Sequence, residues 1–242
     1  MTGTMMWLEM LVVALLALEL TDSPFLVSVT FFLRFLPMIF GFGIGVIAEQ
    51  LNRKYLMIGG LVVQATTSAA LVALIISDKL EYWHLALGSF FIGAVMASEF
   101  PVRRTMIGEV VSRMNVGRAV SLEQTTSSLF RIIGPFVGGV FLATIGAQGG
   151  FLLGVVLYSI GVLIAISMKY NRPTSTEALA GPKIQITEGI QYIRKSQVMI
   201  GTLGVTLVLN VFGFSYLSQQ PVVAKQVLQV SDVLIGILQS VE

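Results

Sequence analysis

The sequence predicts an all-α fold, a polytopic membrane helical bundle, and three observations lead to this fold class. Hydrophobic residues make up 55% of the 242 residues and charged residues only 12%, whereas about a quarter of a typical soluble domain is charged. The apolar residues form runs of about 20, which is long enough to cross about 30 Å of hydrocarbon as a helix. The basic residues concentrate in alternate links between these runs, as expected for a chain that crosses a membrane repeatedly.

Turn residues and charges divide the apolar sequence into seven spans and the beginning of an eighth. The first span contains Glu9 and Glu19 but no basic residue, so we interpret it as a retained helix and not as a signal peptide. It is short for a spanning helix, and the eighth has barely begun at residue 242, which predicts truncation at both ends. The predicted spans cover residues 5–21, 24–48, 55–77, 82–100, 121–145, 150–168 and 198–217, and the eighth begins near residue 233.

The distribution of basic residues predicts the orientation of the spans. The links after spans two, four and six hold eleven of the fifteen Lys and Arg residues, and the opposite links hold only Lys79 and Lys225. Since basic residues near span ends stay on the cytoplasmic side, the links after the even-numbered spans face the cytoplasm. We therefore expect a six-helix bundle over residues 1–169, a cytoplasmic link over 170–197 and the start of a second bundle over 198–242.

The string from Gly134 to Gly139 in span five is the most specific in the sequence. Pro135 has no N–H and crowds the carbonyl of Arg131, which predicts a bend in the helix. Gly134 and Gly138 have the GxxxG spacing, and with Gly139 they leave a bare strip that a second helix can approach closely. Span two carries a similar combination of Arg, Pro and Gly, which suggests two inverted three-helix units.

A second string, from Gly45 to Lys54, lies at the predicted cytoplasmic turn between spans two and three. Gly45 permits close contact between helices. Glu49, beside Arg53 and Lys54, can form charge pairs that break and reform if helices move. Membrane anchoring by the two basic residues explains only part of this pattern.

Together the two strings resemble motifs of the major facilitator superfamily. The residues from Gly45 to Lys54 are similar to its loop motif, with Glu49 in the place of Asp, and the residues from Gly134 to Gly139 resemble its fifth-helix antiporter motif. The likeness to the enterobactin-exporter branch, in the third group of drug:proton antiporters, covers nearly the whole chain. Two departures are that Gln50 and Asn52 replace the usual Arg and Gly, and that span four contains no Arg.

Ionisable residues inside the spans are functional candidates because a charge at the bilayer centre costs about 3 kcal/mol. Glu9 is the candidate proton carrier, unless it lies near the membrane surface. Arg34 and Arg131 either bind an anionic substrate or pair with Glu9 or Glu123. Gln64 and Asn210 complete the predicted polar lining of a substrate or ion pathway.

The resemblance implies a secondary active exporter of small molecules, of the drug or siderophore type, which works by alternating access and is coupled to protons. Two alternatives remain, a lysophospholipid flippase-type transporter and a non-transporting membrane scaffold or degenerate fragment. The expected location is a bacterial inner (plasma) membrane, and the expected partners are the lipid bilayer, a small-molecule substrate and a coupling proton. No enzyme activity or cofactor is expected. The sequence has no cysteine for a thiolate metal site, so no metal site is expected, and its net charge of only +2 predicts no nucleic-acid partner.

Overall fold

The computed structural model describes residues 2–39, 52–170, 191–208 and 216–241, and these residues form helices joined by turns. Two of the helical segments have other geometries, a 3-10 turn at Arg113–Asn115 and a π-helical turn at Val223–Val227. The α-helices are α1 Thr2–Thr21, α2 Pro24–Ile39, α3 Arg53–Ile76, α4 Tyr82–Val110, α5 Val116–Ile145, α6 Ala147–Ser167, α7 Gln197–Val208, α8 Tyr216–Val222 and α9 Asp232–Ser240.

Five of the described helices, α1 and α3 to α6, are long and apolar enough to cross a bilayer. They coincide with five predicted spans, and α2 begins at the predicted Pro24. The all-helical membrane fold is therefore as the sequence predicts. Gly45, Glu49 and Asn210 lie outside the described residues.

Three helix ends differ from the prediction. Helix α4 continues ten residues beyond the predicted end, to Val110, and α5 begins at Val116. The added turns are charged, and a pairing of Arg103 with Glu123, at 2.8 Å, joins the two helices there. Helix α8 and its π-helical turn extend the helical chain to Val227, past the predicted end at 217. Hydropathy marks where a helix leaves hydrocarbon, and it does not mark where the helix ends.

The first six helices pack as two equivalent three-helix units, α1–α3 and α4–α6. Helix α2 packs on α4 and α1 packs on α5, which are equivalent pairs if α1–α3 is exchanged with α4–α6. Helices α3 and α6 pack on each other, as the same exchange requires. The contacts therefore support the inverted repeat that the sequence suggested, in which Arg34 and Arg131 occupy equivalent helices.

Helix α1 is the centre of the described structure. Ten consecutive residues, 9–18, are buried, most of them apolar, and α1 contacts α2, α4, α5, α6 and α8. The other long helices expose many large apolar side chains, such as Leu163 and Ile76. Such a surface is stable against lipid and not against water. Glu9, which lies in this buried stretch of α1, consequently faces protein and not lipid.

Gly93 allows α2 and α4 to approach until their backbones touch. A Cβ at Gly93 would lie 1.8 Å from the carbonyl oxygen of Arg34, which is far inside van der Waals contact. Sequence reasoning did not select Gly93, because a single glycine in a membrane helix carries no distinguishing pattern. The contact fixes the backbone from which the Arg34 side chain extends.

Candidate functional site

Glu9 of α1 and Arg34 of α2 form a buried ion pair. The exposed fraction of Glu9 is 0% and that of Arg34 is 2%, and Arg34 Nη2 lies 3.5 Å from Glu9 Oε2. This separation is longer than a charged hydrogen bond, which is about 2.7–2.9 Å. Each charge makes burial of the other tolerable, since an unpaired buried charge is strongly destabilising. The structure thus brings together two residues for which the sequence offered pairing as one alternative.

Residues of α3 and α6 complete the surroundings of the Glu9 carboxylate. Ser68 Oγ donates a hydrogen bond of 3.2 Å to Glu9 Oε1, and the Tyr158 side chain lies within hydrogen-bonding range of the same carboxylate. Gly154 provides the space, because a Cβ there would lie 3.4 Å from Glu9 Oε1. The carboxylate is therefore held by four helices at once.

Several polar atoms beside this pair have no partner in the described part of the chain. They include Nε and Nη1 of Arg34 and Oε1 of Gln64, and Gln64 is only 5% exposed. A buried polar group without a hydrogen bond costs about 1–3 kcal/mol. Such groups are commonly satisfied by ordered water or by a ligand. The unpaired atoms therefore indicate a site that a polar molecule can enter.

A cavity of about 240 Å³ adjoins these atoms. All of the helices α1 to α6 contribute to its wall. Among the described residues, no three His, Asp or Glu side chains converge as metal ligands, so the charged groups act as pairs and single charges. The wall is formed by Gly3, Met6, Trp7, Arg34, Gln64, Ile92, Met96, Glu99, Phe100, Arg103, Arg104, Glu123, Gln124, Ser127, Ser128, Arg131 and Tyr158.

Arg131 lies where this cavity meets a second one. The second cavity, of about 80 Å³, shares Arg131 and Trp7 with the first and reaches Tyr216 and Gln220 of α8. The Arg131 side chain is exposed, and it has no ion pair with a described residue. Glu123, which the sequence offered as its partner, pairs with Arg103 instead. Among the described residues, Arg131 is thus a cation without a counter-charge at the junction of the two cavities.

The glycines of α5 serve two different interfaces. A Cβ at Gly134 would lie 2.8 Å from the carbonyl oxygen of Thr4, so this glycine faces α1, and Gly138 faces Leu8 of the same helix. Gly139 faces α9 instead, where a Cβ would lie 2.6 Å from the carbonyl oxygen of Asp232. One strip of the sequence therefore packs α5 both on α1 and on α9.

The contact between α5 and α9 is formed by backbone atoms of both helices. A Cβ at Gly236 of α9 would lie 2.5 Å from the carbonyl oxygen of Pro135 and 3.2 Å from Cα of Gly139. Pro135 has no N–H and leaves the Arg131 carbonyl without its usual helical donor. The backbone contact of Pro135 with Gly236 thus lies one helical turn from Arg131.

Comparison with known proteins places this geometry in a family. A family profile described as transmembrane secretion effector, of the MFS type, matches residues 1–241. The chain belongs to this family. It is also similar to a staphyloferrin A transporter of Staphylococcus aureus, at 26% identity over 60% of this chain and 36% of that protein. An uncharacterised MFS-type transporter of Bacillus subtilis is 25% identical over 85% of this chain and 50% of its own length.

A solved structure has the same fold. It is a bacterial homolog to the human lysosomal transporter Spinster, in an inward-facing and unoccupied conformation, with a TM-score of 0.64 and 15% identity. The match covers 98% of this chain and 57% of that one. The chain thus spans about half the length, or less, of the relatives it matches, and it has the fold of a major facilitator transporter over that part.

Arg53 and Lys54, the last two residues of the loop motif, contact α4 and the end of α6. Arg53 donates to Glu109 Oε1, and the Tyr170 hydroxyl donates to Glu109 Oε2. Lys54 Nζ donates to two carbonyls at the end of α6, those of Ile166 and Met168, each at 2.7 Å. The cluster joins the ends of α3, α4 and α6. Contacts of Glu49 lie outside the described residues.

On the opposite side, α8 contacts the turn between α1 and α2. Gln219 Nε2 donates to Ser28 Oγ and, at 3.3 Å, to the carbonyl of Pro24. Gln226 Nε2 donates to Asp22 Oδ1 at 3.2 Å. Neither glutamine was selected from the sequence, because an amide near a span end has no distinguishing pattern. These bonds join the turn between α1 and α2, and the start of α2, to α8 and the π-helical turn after it.

Proposed function

We propose that the full-length protein containing this chain is a secondary active exporter of small molecules, which works by alternating access and uses a proton gradient. In this proposal, residues 1–169 form the first bundle, 170–197 the link and 198–242 the start of the second bundle. The family and the staphyloferrin A transporter support transport of a small molecule. The resemblance of Gly134–Gly139 to the antiporter motif supports export.

The buried carboxylate of Glu9 carries the proton-coupling part of the proposal. It is fully buried among the helices, and it contacts Arg34, Ser68 and Tyr158. Protonation of Glu9 would remove its attraction for Arg34, so that the packing of α1 on α2 depends on the protonation state. A single buried group can in this way couple a proton to the arrangement of helices.

Alternating access is supported by contacts at both ends of the helices. The bare contact of α5 with α9 permits sliding, because no side chains interlock at Gly139 and Gly236. The bonds of Gln219 and Gln226 hold the external side together, while Arg53 and Glu109 lie on the cytoplasmic side. Polar contacts of this kind can break and reform at small cost. A site between them would open to one side at a time.

The test is transport by the full-length protein in inside-out membrane vesicles. We expect accumulation of labelled small molecules that requires an imposed pH gradient and is lost when a protonophore is added. The Glu9→Gln variant should lose the pH dependence of this uptake, because the amide cannot bind the proton. Accumulation that survives the protonophore would contradict proton coupling.

Glu19→Gln is the matched control, since Glu19 lies on the same helix but is exposed. This variant should keep the pH profile of the unmodified protein. A Glu9→Gln protein with an unaltered pH profile would exclude Glu9 as the proton carrier.

A further inference from the structure

The charges around the larger cavity do not cancel. Four arginines line it, Arg34, Arg103, Arg104 and Arg131, against two carboxylates, Glu99 and Glu123. Both carboxylates contact Arg103, at 3.5 and 2.8 Å. Glu9 compensates Arg34 from behind the wall, so four positive charges face three negative ones. The described residues therefore give the cavity a net positive charge, which attracts anions.

Arg131 is the arginine best placed to use this charge. Arg34 is 2% exposed and already paired with Glu9, and Arg103 bridges two carboxylates. Arg131 is exposed to the cavities and has no ion pair with a described residue. A planar guanidinium with free N–H groups matches the two oxygens of a carboxylate.

The face of α5 that carries Arg131 is polar along the whole cavity. Gln124, Ser127, Ser128 and Arg131 all line the cavity, and their spacing of three, four and seven residues places them on one helical face. Across the cavity, the unpaired Oε1 of Gln64 and N–H groups of Arg34 are buried in the wall. Several hydrogen-bonding groups thus converge beside Arg131, as expected of a ligand-binding site.

Another part of the wall is apolar. It contains Met6, Trp7, Ile92, Met96 and Phe100. A ligand that fits both walls has an acidic group at one end and an apolar or aromatic body at the other. Methionine and aromatic side chains accept such bodies without demanding one shape.

We propose that this cavity binds amphipathic organic anions, with the acidic group on Arg131 and the apolar body against Trp7, Met96 and Phe100. This inference rests on the proposed function in taking the cavity as the place where the substrate is held. Arg34 remains the structural partner of Glu9, so the protonation of Glu9 and the binding of the anion involve different arginines. A cationic substrate is disfavoured by the net positive charge.

The test measures binding and not transport, with full-length protein in detergent and no gradient. The probe is tritiated 2-naphthoate, and the competitors are unlabelled 2-naphthoate, the neutral 2-naphthamide and the cationic 2-naphthylmethylamine. We expect the amide and the amine to bind about tenfold to a hundredfold more weakly than the acid, as for the loss of charged hydrogen bonds. Equal binding of acid and amide, or no saturable binding of 2-naphthoate, would overturn the proposal.

Variants locate the anion. Arg131→Gln should reduce the preference for acid over amide to near unity, while Arg131→Lys should retain part of it. Arg118→Gln is the matched control, because Arg118 lies on the same helix, is exposed and does not line the cavity. Weak binding of 2-naphthamide that persists in Arg131→Gln shows that this variant is folded. An unchanged acid preference in Arg131→Gln would overturn the assignment.

The two proposals can fail separately. Binding of 2-naphthoate that depends on Arg131, without any gradient-driven uptake in vesicles, would overturn the proposed export function and leave the anion site intact. Gradient-driven uptake without a preference for acids would overturn the anion site and leave the proposed export function intact.

Discussion

At the scale of residues, Glu9 and Arg34 respond differently to the loss of their partner. A carboxylate that loses its cation can take up a proton and become neutral, whereas a guanidinium remains charged at every accessible pH. Both side chains are almost fully buried. Loss of Arg34 therefore leaves a group that can become neutral, whereas loss of Glu9 leaves a group that stays charged.

This inequality predicts the stability of the two single variants. Glu9→Gln leaves a buried charge without compensation and should cost about 3–5 kcal/mol, as for other broken buried pairs. Arg34→Gln should cost less, because Glu9 can become protonated. The difference can be measured from denaturant-induced unfolding of the detergent-solubilised protein.

The double variant Glu9→Gln/Arg34→Gln provides the control, since it carries neither charge. It should be more stable than Glu9→Gln alone, which a double-mutant cycle would quantify. Equal losses in the two single variants, with additivity in the double variant, would show that the pair contributes no coupling.

Some of these residues could be selected from the sequence and others could not. Glu9, Arg34 and Gln64 are conspicuous because they are charged or carry an amide within apolar runs. Ser68 and Tyr158 are ordinary in membrane helices, and only their position against Glu9 distinguishes them. The selection of Arg131 depended on its charge, but its lack of a partner is a property of the packed helices.

At the scale of elements, α5 is the helix through which the two parts of the chain meet. Gly134 and Gly138 pack on α1, whereas Gly139 packs on α9. A change at Gly139 should therefore affect the contact across the link more than the packing within the first six helices.

Gly139→Ala should weaken transport with little loss of overall stability. Its Cβ would lie 2.6 Å from the Asp232 carbonyl oxygen, and forcing backbone apart typically costs about 1–3 kcal/mol. A bias of that size changes the ratio of two arrangements by about fivefold to 150-fold. Uptake in inside-out vesicles and the unfolding midpoint would together measure the effect.

Gly117→Ala is the control for this experiment, because Gly117 lies on the same helix and a Cβ there has nothing within 4 Å. Unimpaired uptake by Gly139→Ala would mean that the α5–α9 contact has no role in the transport cycle.

Packing decides where the helices end more than it decides whether they form. Spans were predictable because a stretch of about 20 apolar residues has few other stable environments. The continuation of α4 to Val110 and of α8 toward Val227 involves polar sequence, and contacts such as Arg103 with Glu123 stabilise it. Hydropathy contains no information about these contacts.

At the scale of the whole molecule, the contact of Gln219 with Ser28 connects the first six helices to α8. If this side opens during transport, a covalent link across it should stop the cycle. The absence of cysteine from this sequence makes the chain suitable for introducing a thiol pair.

The Ser28→Cys/Gln219→Cys variant, treated with a short bis-methanethiosulfonate reagent, should lose uptake in vesicles. Addition of a reductant should restore it, because the link is a reversible disulfide. Each single cysteine variant serves as the control and should keep its activity after the same treatment. Full activity of the linked protein would show that this side does not need to open.

The sequence by itself determined that this protein is an all-α membrane chain of major facilitator type, with defined spans and with charged residues inside them. This was possible because hydrocarbon excludes unpaired backbone polar groups and because basic residues stay on the cytoplasmic side. Only the tertiary structure decided that Glu9 pairs with Arg34, that Arg131 has no counter-charge in the described part of the chain, and that Gly139 meets Gly236. Those relations join residues far apart in the chain, and they arise from how closely each helix can approach its neighbours.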